Sequence, residues 1–248
     1  MAEPRRRLDH VVIAVRDLEE ATARYRALGF DARPGGRHTR RGTHNAIIRF
    51  GLDYLELISV YDEAEARQAG RAELVDYLRG REGLVAYALA TDDIAAEAAR
   101  LAAAGLSADG PFAMERLRPD GSRLSWRLVI PGDTQYRRAW PFFIQWDQSD
   151  DQRLARDGRG EHANGARAIA RLDVGVDDVE RGIHLYEGVL GLPRVGAATF
   201  DVAGVSIALV PRVDLDDGPS SLGIHAAGPS RSIAPSAAGG ARIQLIAT

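Results

Sequence analysis

Apolar and polar residues alternate over residues 8–17, Leu8-Asp9-His10-Val11-Val12-Ile13-Ala14-Val15-Arg16-Asp17, and the period then lengthens to a helical stripe of Leu18, Ala21, Tyr25 and Leu28. This predicts a strand followed by a helix over 18–30. Asp17 stands where an N-cap accepts from first-turn amides, Glu20 completes a capping box, and Gly29 supplies the positive φ that ends the helix. The same grammar returns at 84–91, Asp93, 94–104 and Gly105, and again at 169–176, Asp178, 179–190 and Gly191. Three strand-cap-helix starts predict a modular α+β chain.

Each helix is followed by β-rich sequence. Strands over 44–50 and 54–60 flank the hairpin signal Gly51-Leu52-Asp53; strands over 123–130 and 141–146 follow the turn Pro119-Asp120-Gly121; strands over 199–202 and 205–211 flank Ala203-Gly204. The tail beyond is less regular. Segments 61–83, 131–139, 147–167 and 227–241 carry the breakers of loops. The expected modules are 8–60, 84–147 paired with the first, and a degenerate third over 168–248.

Alternation also sorts each strand into faces. Val11, Ile13 and Val15 face the helix, leaving His10, Val12 and Ala14 on the other side; in the second unit Tyr87, Leu89 and Thr91 oppose Ala86, Ala88 and Ala90. Small residues leave room. The third unit presents Arg171, Asp173 and Gly175, too polar for a dry pocket. A cavity is therefore expected between units one and two. With Leu55 and Leu57 on the core side, Tyr54, Glu56 and Ile58 share the face of His10, and the matching strands offer Phe143 and Gln145 in unit two and Ala208 in unit three. A His and a Glu on one sheet face suit metal ligation or acid/base work.

Composition narrows the chemistry. The chain has 248 residues, 45% hydrophobic and 27% charged, with a formal net charge of −3, so no basic stripe matches a run of phosphates and no nucleic-acid partner is expected. Arg5-Arg6-Arg7 reads as a solvated arm. No apolar leader and no window long enough to span a bilayer is present, so a cytoplasmic protein without a membrane partner is expected. The absence of cysteine excludes disulfides and thiolate chemistry and leaves any metal to His, Asp, Glu, amides or water. No G-x-S-x-G elbow, P-loop or dinucleotide fingerprint occurs, and Gly35-Gly36 is too short to cradle a phosphate.

The repeated units, with a His in the first strand and a Glu in the fourth, resemble the vicinal oxygen chelate superfamily of glyoxalases and extradiol dioxygenases. Gly35-Gly36-Arg37-His38, Gly42-Thr43-His44-Asn45-Ala46, Tyr54-Leu55-Glu56-Leu57-Ile58, Pro141-Phe142-Phe143-Ile144-Gln145-Trp146 and His162-Ala163-Asn164-Gly165-Ala166 are similar to its glyoxalase-like domain subgroup. The resemblance implies β-α-β-β-β modules curled into an open, barrel-like mixed sheet with helices outside. It implies a small-molecule substrate and one divalent metal ion (Zn, Fe, Mn, Ni or Mg) on His10 and Glu56, with Gln145 as a third ligand and Ala86 where a fourth would stand. It implies also that two chains can pair as a homodimer and complete a site.

Each candidate has a bland alternative. His10 alone reads as a buried, hydrogen-bonded imidazole. Glu56 reads as half of a cross-strand salt bridge if a two-residue turn at Leu52-Asp53 sets Arg49 opposite it; a three-residue turn sets Ile48 there instead. His44 stands at a strand end and His162 in a loop, as pocket or turn residues. Trp126 and Arg127 alternate, so one of them faces the cavity; Arg127, like Arg40 and Arg41, suits a substrate carboxylate or plain surface charge. Two functions follow. One is a lyase, isomerase or oxygen-dependent cleaving enzyme with His10 and Glu56 as catalytic residues, through a metal or with Glu56 as base and His10 orienting it, and with Tyr54, His44, Trp126, Arg127, Phe143 and His162 contacting substrate. The other is a metal-free binding protein walled by Phe143, Trp126 and Tyr54.

Overall fold

The strand β1 (Arg6–Ala14) pairs in parallel with β4 (Tyr54–Val60), and β4 continues antiparallel to β3 (Thr43–Arg49) and β2 (Ala32–His38). The second unit repeats the order with β5 (Gly83–Thr91), β8 (Phe142–Trp146), β7 (Arg123–Pro131) and β6 (Ala108–Leu117). β1 joins β5 antiparallel, and a short seam of Arg37 with Leu117 and His38 with Arg116 joins β2 to β6. Where the sequence implies an open sheet, these two seams close it into an eight-stranded barrel. The structure is a computed structural model that describes residues 4–132, 136–212 and 217–248. Part of the loop expected over 131–139 therefore lies outside the described residues.

Helices α1 (Leu18–Ala27) and α4 (Ile94–Ala103) pack on the outside of the barrel. Asp17, Asp93 and Asp178 each accept from a first-turn amide as expected, and Gly29, at φ 85°, follows the end of α1. The capping box at Glu20 does not form, because its carboxylate pairs with Arg24 one turn on; the reciprocal box occurs at Ser149 and Gln152, opening α5 (Asp150–Asp157). Segments expected as loops also hold α2 (Glu63–Gln68), α3 (Ala72–Gly80) and α5. Among the described residues, no helix is long and apolar enough to cross a membrane.

Beyond the barrel lies a six-stranded sheet formed by β9 (Ala166–Val176), β10 (Thr199–Val202), β11 (Val205–Pro211), β12 (Gly218–Ala226), β13 (Arg231–Ile233) and β14 (Ile243–Ala247). β9 runs parallel to β11 and antiparallel to β12, and β12 runs parallel to β14, the relations that β1 has to β4 and β5 and that β5 has to β8. The tail that looked irregular thus repeats the unit pattern a fourth time, shortened. α6 (Val179–Ile183), extended by a π-helical turn over His184–Val189, packs on β11.

The main core lies between the barrel's outer face and this sheet: Val11, Ile13, Leu57, Leu89 and Phe143 meet Leu172, Val174, Tyr186, Phe200 and Ile224. Two smaller apolar clusters fill the barrel itself. Two of the three N-terminal arginines expected to form a solvated arm lock these layers. Arg6 forks onto the fully buried Glu97 of α4 at 2.6 and 2.8 Å and donates to the Leu190 carbonyl, while Arg7 bridges Asp9 and Asp150. Because removal of one partner leaves a buried charge unpaired, Glu97→Ala is expected to cost about 3–5 kcal/mol in denaturant unfolding. A loss under 1 kcal/mol would contradict this role for the pair.

Candidate functional site

Inside the barrel is a cavity of about 60 Å³, lined by His10 and Val12 of β1, Tyr54, Glu56 and Ile58 of β4, His38 of β2, Arg116 of β6 and aromatic side chains of β7 and β8. It holds roughly four to six waters or a few heavy atoms of a ligand, at ~10–15 Å³ each. Polarity is one-sided. The second unit lines this region with Ala86, Ala88, Ala90, Phe142 and Ile144, and most of its ionisable groups come from the first.

His10 owes its setting to an irregularity in β1. Leu8 pairs with Leu89 and His10 with Ala88, so Asp9 is an extra residue, a bulge that lets two sequence neighbours reach one cluster. The Asp9 carboxylate lies 2.8 Å from His10 Nδ1 and accepts from Trp146 Nε1, Arg7 and Arg153. Burial alone would raise the Asp9 pKa, yet Arg153, His10 and Arg7 hold it far below the usual carboxylate range. An ionised Asp9 can only accept from Nδ1, so a neutral His10 ring carries its hydrogen there and presents Nε2 to the cavity. The ring stacks on Tyr54, centroids 4.7 Å apart, with Phe142 edge-on at 5.4 Å.

Glu56 faces that lone pair. Its Oε2 is 3.5 Å from His10 Nε2, too far for a direct hydrogen bond and near enough for one bridging donor to reach both. On the other oxygen, Asn45 Nδ2 donates at 2.5 Å, and His38 Nε2 stands 3.6 Å away. The amide's orientation follows from Arg116, whose Nη1 donates to Asn45 Oδ1 at 3.2 Å. Burial pushes Glu56 up, but His10, His38, the Asn45 amide and Arg116 together bring it below the ordinary carboxylate value. His38, with Nδ1 2.9 Å from Thr43 Oγ1, is pushed down to about 3 by burial against the pull of Glu56 and is neutral near pH 7. Gly35 is the extra residue of a bulge in β2, and a Cβ there would lie 2.1 Å from Asn45 Oδ1. Only glycine leaves the amide room.

His10, Glu56, Tyr54 and Trp126 are thus brought to one cavity, and the remaining expected site residues are placed elsewhere. The β3–β4 turn is Gly51-Leu52, so Ile47 opposes Glu56 and neither expected partner does; Arg49 pairs with Asp157 and covers the Tyr54 ring. His44 is on the outer face against Tyr61, because its neighbour Asn45 takes the inward position. β8 turns Phe142, Ile144 and Trp146 inward, one residue out of step with the expectation, which buries Phe143 in the outer core and sends Gln145 to the start of α4, where it accepts from Ile94 N and donates to the Asp92 carbonyl. Gln145 is therefore not a ligand here. Arg127 is exposed on the outer face. His162 accepts from Asp31 N and donates to the Arg49 carbonyl between Phe30 and Phe50, a tie between loop and barrel and not a pocket wall. His38 and Asn45 stand in the sequence only as parts of the motifs that carry the resemblance, and Asp9, Arg71 and Arg116 carry no local signal.

The resemblance implies a divalent ion, and the donor chemistry tests it. Each imidazole has its Nδ1 anchored, as metal-bound histidines do. Against this, the cavity positions on β5 and β8 are alanine, phenylalanine, isoleucine and tryptophan, and Glu56 Oε1 is already held by Asn45. Two guanidiniums, Arg71 and Arg116, line the same space, where they oppose a dication. Among the described residues no group of three or more His, Cys, Asp or Glu is arranged to hold a metal. The residues present do not fit a resident divalent ion.

Comparison with known proteins agrees with this architecture. A hypothetical protein from Staphylococcus aureus of known structure superposes with a TM-score of 0.81 at 18% identity, covering 98% of this chain and 100% of that one. The Mn(II)-bound glyoxalase from Novosphingobium aromaticivorans superposes with a TM-score of 0.55 at 14% identity, covering 99% and 83%. At such identities the likeness concerns the fold. No curated protein matches the sequence. The model of the glyoxalase-like domain family matches residues 8–190, spanning nearly all of the barrel and the start of the second sheet, and the chain belongs to that family.

Proposed function

We propose that the barrel cavity catalyses proton transfer at a carbon next to a carbonyl group of a small molecule, an isomerase or lyase type of step, with His10 as proton acceptor. The observation that carries this is the Asp9–His10 pair, which holds Nδ1 and aims Nε2 into the barrel cavity with a carboxylate 3.5 Å away. This reverses the metal-free one of the two arrangements expected from sequence, in which Glu56 is the base and His10 orients it. Glu56, lowered in pKa and held by Asn45, is the weaker base; Asp9 performs the orientation.

In the step, the Nε2 lone pair takes the proton and the C–H bonding electrons pass into the enolate. The imidazolium lies between the carboxylates of Asp9 and Glu56, which offset its charge. The enolate oxygen faces the guanidinium of Arg71, which donates to the Tyr136 hydroxyl and lines the cavity. Return of the proton to the same or a neighbouring carbon completes the reaction. Tyr54, Phe142 and Trp126 exclude water and keep these charges in a low-dielectric site.

Deuterium incorporation from D2O into the methyl groups of pyruvate and pyruvamide, followed by proton NMR, tests the proposal. The wild-type chain is expected to catalyse exchange in at least one probe, His10→Gln to lose about 10²–10⁴-fold, the scale of a general base, and Asp9→Asn to lose a smaller factor while circular dichroism stays unchanged. Binding of either probe without exchange would favour the metal-free binding protein instead.

His38 gives a second expectation. Unfolded, it takes a proton near its ordinary 6.5, but in the fold not until about 3, so the unfolded chain binds more protons throughout that interval. Stability contributed by neutral His38 is whole above pH 6.5 and declines as pH falls toward 3, by at most about 1.4 kcal/mol per unit. Denaturant unfolding of His38→Asn between pH 6.5 and 4.5 is expected to show a shallower decline than wild type; equal slopes would contradict it.

A further inference from the structure

The cavity contains more positive than negative charge. Several arginines with largely covered side chains meet a carboxylate: Arg6 meets Glu97, Arg153 meets Asp9, Arg49 and Arg118 meet Asp157. Arg116 departs from this pattern. It is 4% exposed, its hydrogen bond goes to the neutral Asn45 amide, its Nε has no partner, and among the described residues no carboxylate lies within ion-pair distance. Arg71, also buried, donates to the Tyr136 hydroxyl and likewise has an unpartnered Nε. Among the carboxylates and guanidiniums of this lining, Glu56 supplies one negative charge and Arg71 and Arg116 supply two positive ones. Burying an uncompensated guanidinium is costly, and an anion arriving in the cavity removes that cost.

Access points the same way. Arg116 also lines a second cavity of about 270 Å³ at the β2, β3 and β6 side, edged by Arg33, Arg49, Arg118 and Arg156 together with Asp31, Asp120 and Asp157. Arg116 is the residue common to both cavities. Five arginines against three aspartates make this outer cavity positive, which raises the local concentration of anions beside Arg116.

We propose that the ligand of the barrel cavity is a small monoanion whose carboxylate docks on the Arg116 fork, with Asn45 fixing the guanidinium and the remainder of the molecule lying against His10 and Tyr54. This rests on the barrel cavity being the reacting site. The excess of one guanidinium over the one carboxylate matches a monoanion, the planar guanidinium matches the two oxygens of a carboxylate, and the small volume favours a carboxylate over a phosphate. The docked group also defines which end of the substrate reaches Nε2.

Calorimetric titration of the full chain with pyruvate, the neutral isostere pyruvamide and inorganic phosphate provides the test. Tryptophan emission serves as a second signal, because Trp126 and Trp146 line the cavity. Pyruvate is expected to bind at least tenfold more tightly than pyruvamide or phosphate. Arg116→Gln is expected to weaken pyruvate at least tenfold and leave pyruvamide unchanged, which also shows the cavity intact; Arg116→Lys is expected to recover part of the loss. Equal binding of pyruvate and pyruvamide, phosphate binding as tightly as pyruvate, or an Arg116→Gln variant with undiminished preference for pyruvate would each overturn the proposal. Pyruvate binding without methyl exchange sinks the proton-transfer reaction and leaves the docking site; exchange in both probes at equal affinity sinks the docking site and leaves the reaction.

Discussion

One surplus residue in the first strand sets the chemistry of this barrel. With regular pairing, Asp9 and His10 would point to opposite faces of β1; the bulge lets both join the inner cluster, so that the carboxylate reaches Nδ1. Everything downstream needs that contact. Trp146 of β8, Arg153 of α5 and Arg7 of β1 all converge on Asp9, which keeps it ionised although fully buried. A charge placed so deeply would be ruinous unpaired; here it is enclosed by donors from three elements.

The division of labour between halves follows from duplication. Both units build the same four-stranded half-barrel, but one presents an aspartate, two histidines and a glutamate, and the other mostly alanines and aromatics. Apart from Arg116 on β6, the second half therefore acts as a dry wall that lowers the dielectric around the first. The outer sheet contributes rigidity: it covers the apolar faces of β1 and β5, and the Tyr87 and Tyr186 hydroxyls meet across the boundary. A wall held from behind keeps the imidazole's geometry from relaxing.

Period-two alternation placed His10, Tyr54, Glu56 and the three alanines of β5 correctly, since each of those strands has a distinct apolar face. It failed on β8, where Phe142, Phe143, Ile144 and Trp146 leave both faces apolar and a slip of one residue carries no penalty visible in sequence. Alternation left His44 and Asn45 unassigned, because the continuous Ala46-Ile47-Ile48 run that follows makes both faces apolar. β2 carries Pro34-Gly35-Gly36, a pattern that reads as a turn, so the strand that delivers His38 was hidden by the glycine that makes room for Asn45. Arg71 sits at the entry of a short helix in a segment rich in breakers, and Arg116 in a strand with a polar outer face. Bulges and long-range placement, which no local window contains, account for what sequence alone withheld.

The account stands on the protonation pattern that Asp9 imposes on His10. Long-range ¹H–¹⁵N correlation spectra of the imidazole, assigned through loss of the signal in His10→Gln, read that pattern directly. A hydrogen on Nδ1 coupled to Asp9, with Nε2 unprotonated in the neutral ring, is the predicted result. A neutral His10 ring carrying its hydrogen on Nε2 would contradict it, because that nitrogen would then have no lone pair to offer a substrate.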